Sequence, residues 1–308
     1  MKNTINFYYN IFLDELIKKD NCYYFYYSGD EYYFVPLNRP YDDVQSIYKL
    51  NLEMKKRRCL VHELVLNKDK SIITVVNGIS YVLIKLCKYK NDKVFLNDIN
   101  YIQNMTANIE CDKSLVRNDW IKLWSEKIDY YEYQISQVGK KYPLLCDSLS
   151  YFIGMGENAI SYLVNNLDSK TNVNLVVSHK RIYQESGSLN FYDPLNFVVD
   201  SRVRDVAEFI KETFYNKTLN LYDLKSYFNM ANLNKNEYIL LLGRLLFPTY
   251  YFDIYDDIIN KGKSEELVIN IIDRTDEYES LLKQIEEVED EINKKARLEP
   301  IEWLQDKN

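Results

Sequence analysis

Between residues 178 and 209 the chain concentrates side chains that can do chemistry: His179, Arg181, Ser186, Asp193, Asp200, Arg202, Arg204 and Asp205. A guanidinium stays protonated at any ordinary pH, so Arg181 cannot take a proton from a reacting group. It can only donate hydrogen bonds or face a negative charge. With Arg202 and Arg204 it makes a locally positive group that fits an anion, structural salt bridges being the alternative. His179 can order its loop by hydrogen bonding or move protons. Asp205 stands ahead of an apolar run, where it fits a helix N-cap paired with Arg181 or His179.

Other chemistries lack their context. Gly154-Met155-Gly156-Glu157-Asn158-Ala159 has the outline of a dinucleotide-binding turn, but it lies inside a helical pattern with no strand before it. A Ser-His-Asp triad would have to use His62 or His179, and neither has a G-x-S-x-G partner. The five cysteines are scattered, odd in number and never spaced C-x-x-C, which reads as reduced thiols; a zinc site would need ligands from distant segments.

These residues need elements to hold them. The spacing predicts a first helix over 5–18, then a hairpin in which 23–27 and 32–36 flank Ser28-Gly29-Asp30. Asp42-Asp43 opens a helix to Arg58, with carboxylates at its favoured end. Three apolar runs follow, 60–66, 72–76 and 79–86; Asn77-Gly78 between the last two is a strong hairpin signal. From Phe95 the period changes: Trp120, Trp124, Ile128, Tyr131, Ile135 and Val138 fall three or four apart, as an amphipathic helix requires. A second helix is expected over 143–167, a short strand over 174–177 ends at Ser178-His179, and loop- or strand-like sequence runs to about Val199. Beyond Asp205 the pattern is helical, including 278–295.

Composition bounds the function. With 308 residues, 46% hydrophobic and 28% charged, the chain has the makings of a large core. Its net charge of -7 repels a nucleic-acid backbone or anionic membrane, and the 29 tyrosines are spread out rather than gathered beside basic residues as a base-stacking platform needs. Residues 1–16 mix acids into their apolar stretch, so neither a secretory leader nor a membrane span is expected. The acidic run 286–291 reads as a solvated helix face.

The order of hairpin, helix, further strands, then helices broken by a loop-rich patch resembles protein-kinase-like folds. His179 and the strand before it resemble the catalytic loop of aminoglycoside-phosphotransferase-type kinases, whose pattern is His, any residue, Asp, four residues, Asn. Here the Asp position is Arg181 and the Asn position is Ser186. Asp193 precedes Asp205 as the metal-binding Asp precedes the helix-opening Asp-Leu-Ala there. The stretch 193–208, the segment Gly243 to Phe252 and the tail Leu298-Glu299-Pro300-Ile301-Glu302-Trp303-Leu304 are similar to the spore-coat branch of that superfamily, the CotS/YutH-like proteins.

The resemblance implies an α+β, two-lobed fold: a small antiparallel β lobe over 1–90 and a mainly helical lobe over 91–308. It also implies losses. Phosphoryl transfer needs a strand lysine on the phosphates, an Asp and an Asn on metal, and an Asp to accept the proton. Arg181 and Ser186 stand at two of those places, residues 32–37 hold no lysine, and the first hairpin has one glycine, Gly29. Asp193 or Asp200 remain candidate metal ligands. The expectation is a catalytically degenerate pseudokinase with a protein partner, among them spore-coat components, located in the cytoplasm or the coat. No cofactor is expected, ATP with Mg²⁺ being the alternative. A small-molecule kinase of unorthodox mechanism, or a nucleotide- or anion-binding protein using Arg181, Arg202, Arg204 and Asp205, are the other readings.

Overall fold

The computed structural model describes residues 1–168, 173–292 and 300–305. Two compact units divide the chain, each assembled from separate stretches: residues 1–117 with 175–200, and residues 118–174 with 201–308.

The first unit is built on an antiparallel sheet of β1 (Ile17–Lys19), β2 (Cys22–Tyr27), β3 (Asp30–Pro36), β4 (Glu63–Val65), β5 (Ile73–Val76) and β6 (Ile79–Lys85). The order is β1-β2-β3-β6-β4, and β5 continues the β4 edge of β6. Two turns set the register. Ser28 and Gly29 (φ 52° and 85°) close β2 on β3, and Asn77 and Gly78 (φ 51° and 80°) close β5 on β6. Both pairs hold positive φ, the conformation whose twist matches flanking strands.

One face of the sheet buries Phe25, Phe34, Tyr81 and Leu83 against Ile5, Ile11 and Leu13. Each such side chain contributes about 1.5–3 kcal/mol of apolar burial. The expected first helix is shorter than its periodicity suggests. Helix α1 (Lys2–Tyr9) stops at Asn10, which turns into the left-handed region at φ 53°, and residues 17–19 are strand instead. An asparagine tolerates that C-terminal geometry better than most residues. Helix α2 (Asp43–Lys56) follows β3 and buries Val44, Ile47, Leu50 and Met54. Its buried Asn51 donates to the His62 carbonyl (2.7 Å) and accepts from the Leu64 amide (3.1 Å), pinning the start of β4. Helix α3 (Leu96–Met105), strand β7 (Leu175–His179), the short α6 (Gly187–Phe191) and strand β8 (Phe197–Ser201) complete this unit, with β7 and β8 paired.

The second unit is helical: α4 (Trp120–Val138), α5 (Pro143–Asn166), α7 (Val203–Tyr215), α8 (Leu221–Ala231), α9 (Lys235–Leu246), α10 (Thr249–Lys261), α11 (Ile269–Ile272), α12 (Thr275–Ile292) and α13 (Glu302–Gln305). The stripe Trp120, Trp124, Ile128 and Tyr131 is buried; Trp124 stacks on Phe247 and Tyr131 on Phe252, each at 4.4 Å between ring centres. Gly156 lets α4 and α5 approach, since a Cβ there would lie 3.0 Å from Ile128 Cδ1. That contact accounts for the second glycine of the Gly154 motif without a nucleotide. All of α7 is buried, including five charged residues. Glu208 accepts from Arg244 Nε (2.9 Å), and Lys211 donates to the Phe247 carbonyl (2.9 Å) and Thr249 hydroxyl (2.7 Å). Pairing of this kind is what makes buried charge tolerable.

Two expectations touch residues outside the described ones: 293–295 of the 278–295 helix, and Leu298-Glu299 of the tail. No helix among the described residues is long and apolar enough to cross a membrane.

Candidate functional site

Strand β7 is buried and delivers His179 at its end. The ring stacks on Phe191 (4.5 Å) and meets the edge of Phe197 (5.3 Å), while Nε2 lies 2.7 Å from the Phe191 carbonyl. A carbonyl only accepts, so Nε2 carries a proton. Arg181 donates from Nη1 to the Lys180 carbonyl (2.8 Å), and its own carbonyl accepts from the Asn196 amide (3.0 Å). Ser186 falls in a single 3₁₀ turn, Gln184–Ser186.

Asp193 caps the next 3₁₀ turn, its Oδ1 accepting from the Leu195 amide at 2.9 Å. Burial raises its carboxyl to about 6, against the pull of that hydrogen bond, Lys180, Arg39 and His179. Lys180 is held down to about 8, by burial first and then by Arg39. Asp200 is fully buried in β8.

Arg39, missed in the sequence, organises this corner. Its side chain is buried; Nη1 donates to the carbonyls of Leu195 (3.0 Å) and Phe197 (2.6 Å), and Nε pairs with Asp43 in the first turn of α2 (3.2 Å). The only local signal is the Arg-to-Asp interval of four residues.

The remaining predicted residues belong to the second unit. Arg202, not Asp205, is the N-cap position of α7; Asp205 is its third residue, buried, where a carboxylate still meets the positive end of the helix. Arg202 donates to Glu237 (2.6 Å) and the Asn232 carbonyl (3.1 Å). Arg204 is buried. Among the described residues no three carboxylate, imidazole or thiol groups converge as a metal site.

Beneath the sheet of the first unit lies a cavity of about 670 Å³, within the ~300–1,000 Å³ range of small-molecule sites. Tyr24 and Tyr33, 5.2 Å apart, form one wall; Leu86 and Tyr89 form a second, and Gly187 and Leu189 a third. Glu31 and Lys90 pair beside it.

The loop after His179 is stitched to the segment after β6. Val94 donates to Gln184, Ser188 donates to Asn91 (2.8 Å), and the Asn91 amide donates to Ser188 Oγ (3.1 Å). Gly187, at φ +57°, permits the approach: a Cβ there would lie 2.4 Å from the Asn91 carbonyl oxygen. His62, weighed in the sequence only as a triad member, bridges the two segments. Nδ1 accepts from the Cys87 amide (3.1 Å) and Nε2 lies 3.0 Å from the Leu189 carbonyl. Those partners fix the neutral Nε2–H form, and burial lowers the imidazole to about 4. The cavity walls can therefore hold a planar ring, while His62 is committed to structure.

Residues 2–285 match the family model described as spore coat putative kinase YutH. The endospore coat-associated protein YutH of Bacillus subtilis (strain 168) is 28% identical over 207 residues, 60% of this chain; the chain spans 61% of that relative's length. An aminoglycoside phosphotransferase from Alicyclobacillus acidocaldarius superposes with a TM-score of 0.64 at 12% identity, covering 91% of this chain and 94% of that one. A spectinomycin phosphotransferase solved with ADP and spectinomycin gives 0.57 at 11% identity, covering 86% and 89%. The fold is thus protein-kinase-like, of the aminoglycoside-phosphotransferase type.

Proposed function

Because the chain belongs to the spore coat putative kinase YutH family, we propose that it is a catalytically degenerate kinase-like protein that acts by interaction in spore-coat assembly. The observation that carries this reading is Arg181. It stands two residues after His179, where the resemblance puts a proton-accepting aspartate, and its guanidinium is turned to a backbone carbonyl. General-base assistance is worth ~10²- to 10⁴-fold in rate, and a guanidinium supplies none of it. The loop that would carry the metal-binding asparagine is instead bonded along 91–94. A protein partner in the coat and a coat location follow from the same reading.

A second reading, a small-molecule kinase of unorthodox mechanism, is favoured by Asp193. Its raised carboxyl beside Lys180 is the kind of perturbed pair that gathers at working sites.

Thermal melting with ATP and Mg²⁺, run beside an assay for ADP release, separates the two. A ligand at ~100 times its Kd stabilises by about 2.7 kcal/mol, a rise of several degrees. The expected result is no Mg²⁺-dependent rise and no ADP. A rise that requires Mg²⁺, accompanied by ADP and abolished in Asp193→Ala, would overturn the proposal.

A further inference from the structure

In the second unit, the side chains that α5 contributes to one groove are all neutral and polar. Asn158, Ser161, Tyr162, Asn165 and Asn166 recur at the three- and four-residue intervals that align side chains along a helix. Residues 300–303 lie against this face and enclose with it a groove of about 350 Å³, within the size range of small-ligand sites.

The far wall is firmly placed. Ile301 and Leu304 are buried, and the Ile301 amide donates to the Glu286 carboxylate at 3.0 Å. Trp303 stands 6.1 Å from Tyr151, ring centre to ring centre, and stays partly exposed on the groove.

The chemistry of the lining narrows the ligand. The Asn158 side chain makes no hydrogen bond among the described residues, and the Asn166 side chain uses its Nδ2 on the Tyr162 carbonyl at 2.9 Å. Asn165 reaches Ser161 at a weak 3.4 Å. Each amide offers one acceptor and two donors in a plane, so the set can serve a ligand that both donates and accepts along its rim. Among the described residues no lysine or arginine lines the groove, and Glu302 is its one charged residue, which disfavours a phosphate or sulfate. The indole adds an apolar platform with a polar edge. A ring with apolar C–H faces and hydroxyls around its rim matches both features.

We propose that this groove binds a neutral saccharide, with Trp303 under the sugar ring and Asn158, Asn165 and Asn166 bonding its hydroxyl or N-acetyl groups. The proposal is independent of whether the chain transfers phosphate.

Titration of the full chain with N,N′-diacetylchitobiose, cellobiose and maltose, followed by calorimetry and saturation-transfer NMR, tests it. Saturable binding of at least one disaccharide is expected. Trp303→Ala and Asn158→Ala should each weaken it at least about tenfold, and Trp303→Phe should keep most of it. Because Trp303→Ala can loosen the terminal segment, Asn158→Ala at an unchanged melting temperature is the deciding variant. Binding of none of the three sugars, binding indifferent to Asn158→Ala, or displacement of the sugar by a neutral extended peptide with higher affinity would each overturn the proposal.

Discussion

The imidazole of His62 has both ring nitrogens committed, one accepting from Cys87 and the other donating to Leu189. A second proton on Nδ1 would face a donor. With a folded value of about 4 and an unfolded value near 6.5, the group contributes stability fully above ~6.5, and this is lost as pH falls toward 4. Asp193 runs the other way. Its carboxyl is raised to about 6, so its contribution is present below the ordinary carboxylate range and is lost as pH rises through about 6. The two overlap, and a single variant separates them. Urea melts of the wild-type chain and His62→Gln at pH 7 and pH 4.5 should show the wild-type advantage shrinking by up to about 3 kcal/mol at the lower pH. An advantage of equal size at both values would rule out His62 as its source. At this scale Arg181 and His179 were legible, because they are neighbours in the chain. Arg39 was not: its acceptors lie 156 and 158 residues away, a distance no local spacing encodes.

Among the elements, turn chemistry was the most readable signal. Ser28-Gly29 and Asn77-Gly78 fixed two hairpins, because positive φ leaves few choices of residue. Strand β1 was hidden, being three exposed residues with two lysines and no apolar alternation. Helix α7 was legible as a helix and not as a buried one. Its charged residues suggest a wet surface; what makes them tolerable when buried is the Lys211–Glu208 pair within the helix and distant partners such as Arg244 and Thr249. Helix α9 shows a signature that does appear in the sequence. Asn234 accepts from the Glu237 amide (3.0 Å), and Glu237 accepts from the Asn234 amide (2.9 Å). That reciprocal cap satisfies two otherwise orphaned donors. Asn234→Ala should lower stability by about 1 kcal/mol, seen in calorimetry as a fall of roughly 2–4 °C in melting temperature; Asn234→Asp should restore most of it. An unchanged melting temperature for the alanine variant would mean the cap is replaced by water at no cost.

Across the whole molecule, the order of hairpin, helix, strands and helices carried the fold, while the family relation stands on a match over residues 2–285. What the order concealed is that the first unit is discontinuous, needing residues 175–200 as well as 1–117. Without that return segment Arg39 loses the carbonyls of Leu195 and Phe197, His62 loses Leu189, and Arg117 loses its bond to Val199. A fragment of residues 1–117 should therefore give no cooperative thermal transition by circular dichroism, where a closed domain of that length would; a sharp, reversible transition would contradict this account.

The split of the first unit also orders events during synthesis. Its six-stranded sheet emerges from the ribosome early, yet the segment 175–200 that completes the unit is finished only about 80 residues after Arg117, a wait of roughly 4–17 s at ordinary elongation rates. Throughout that interval Arg39 and His62 lack the carbonyls of Leu195, Phe197 and Leu189 while helices α4 and α5 are being extruded. Chaperone dependence during translation, more than the stability of the finished protein, is then the property most exposed to mutations in residues 175–200.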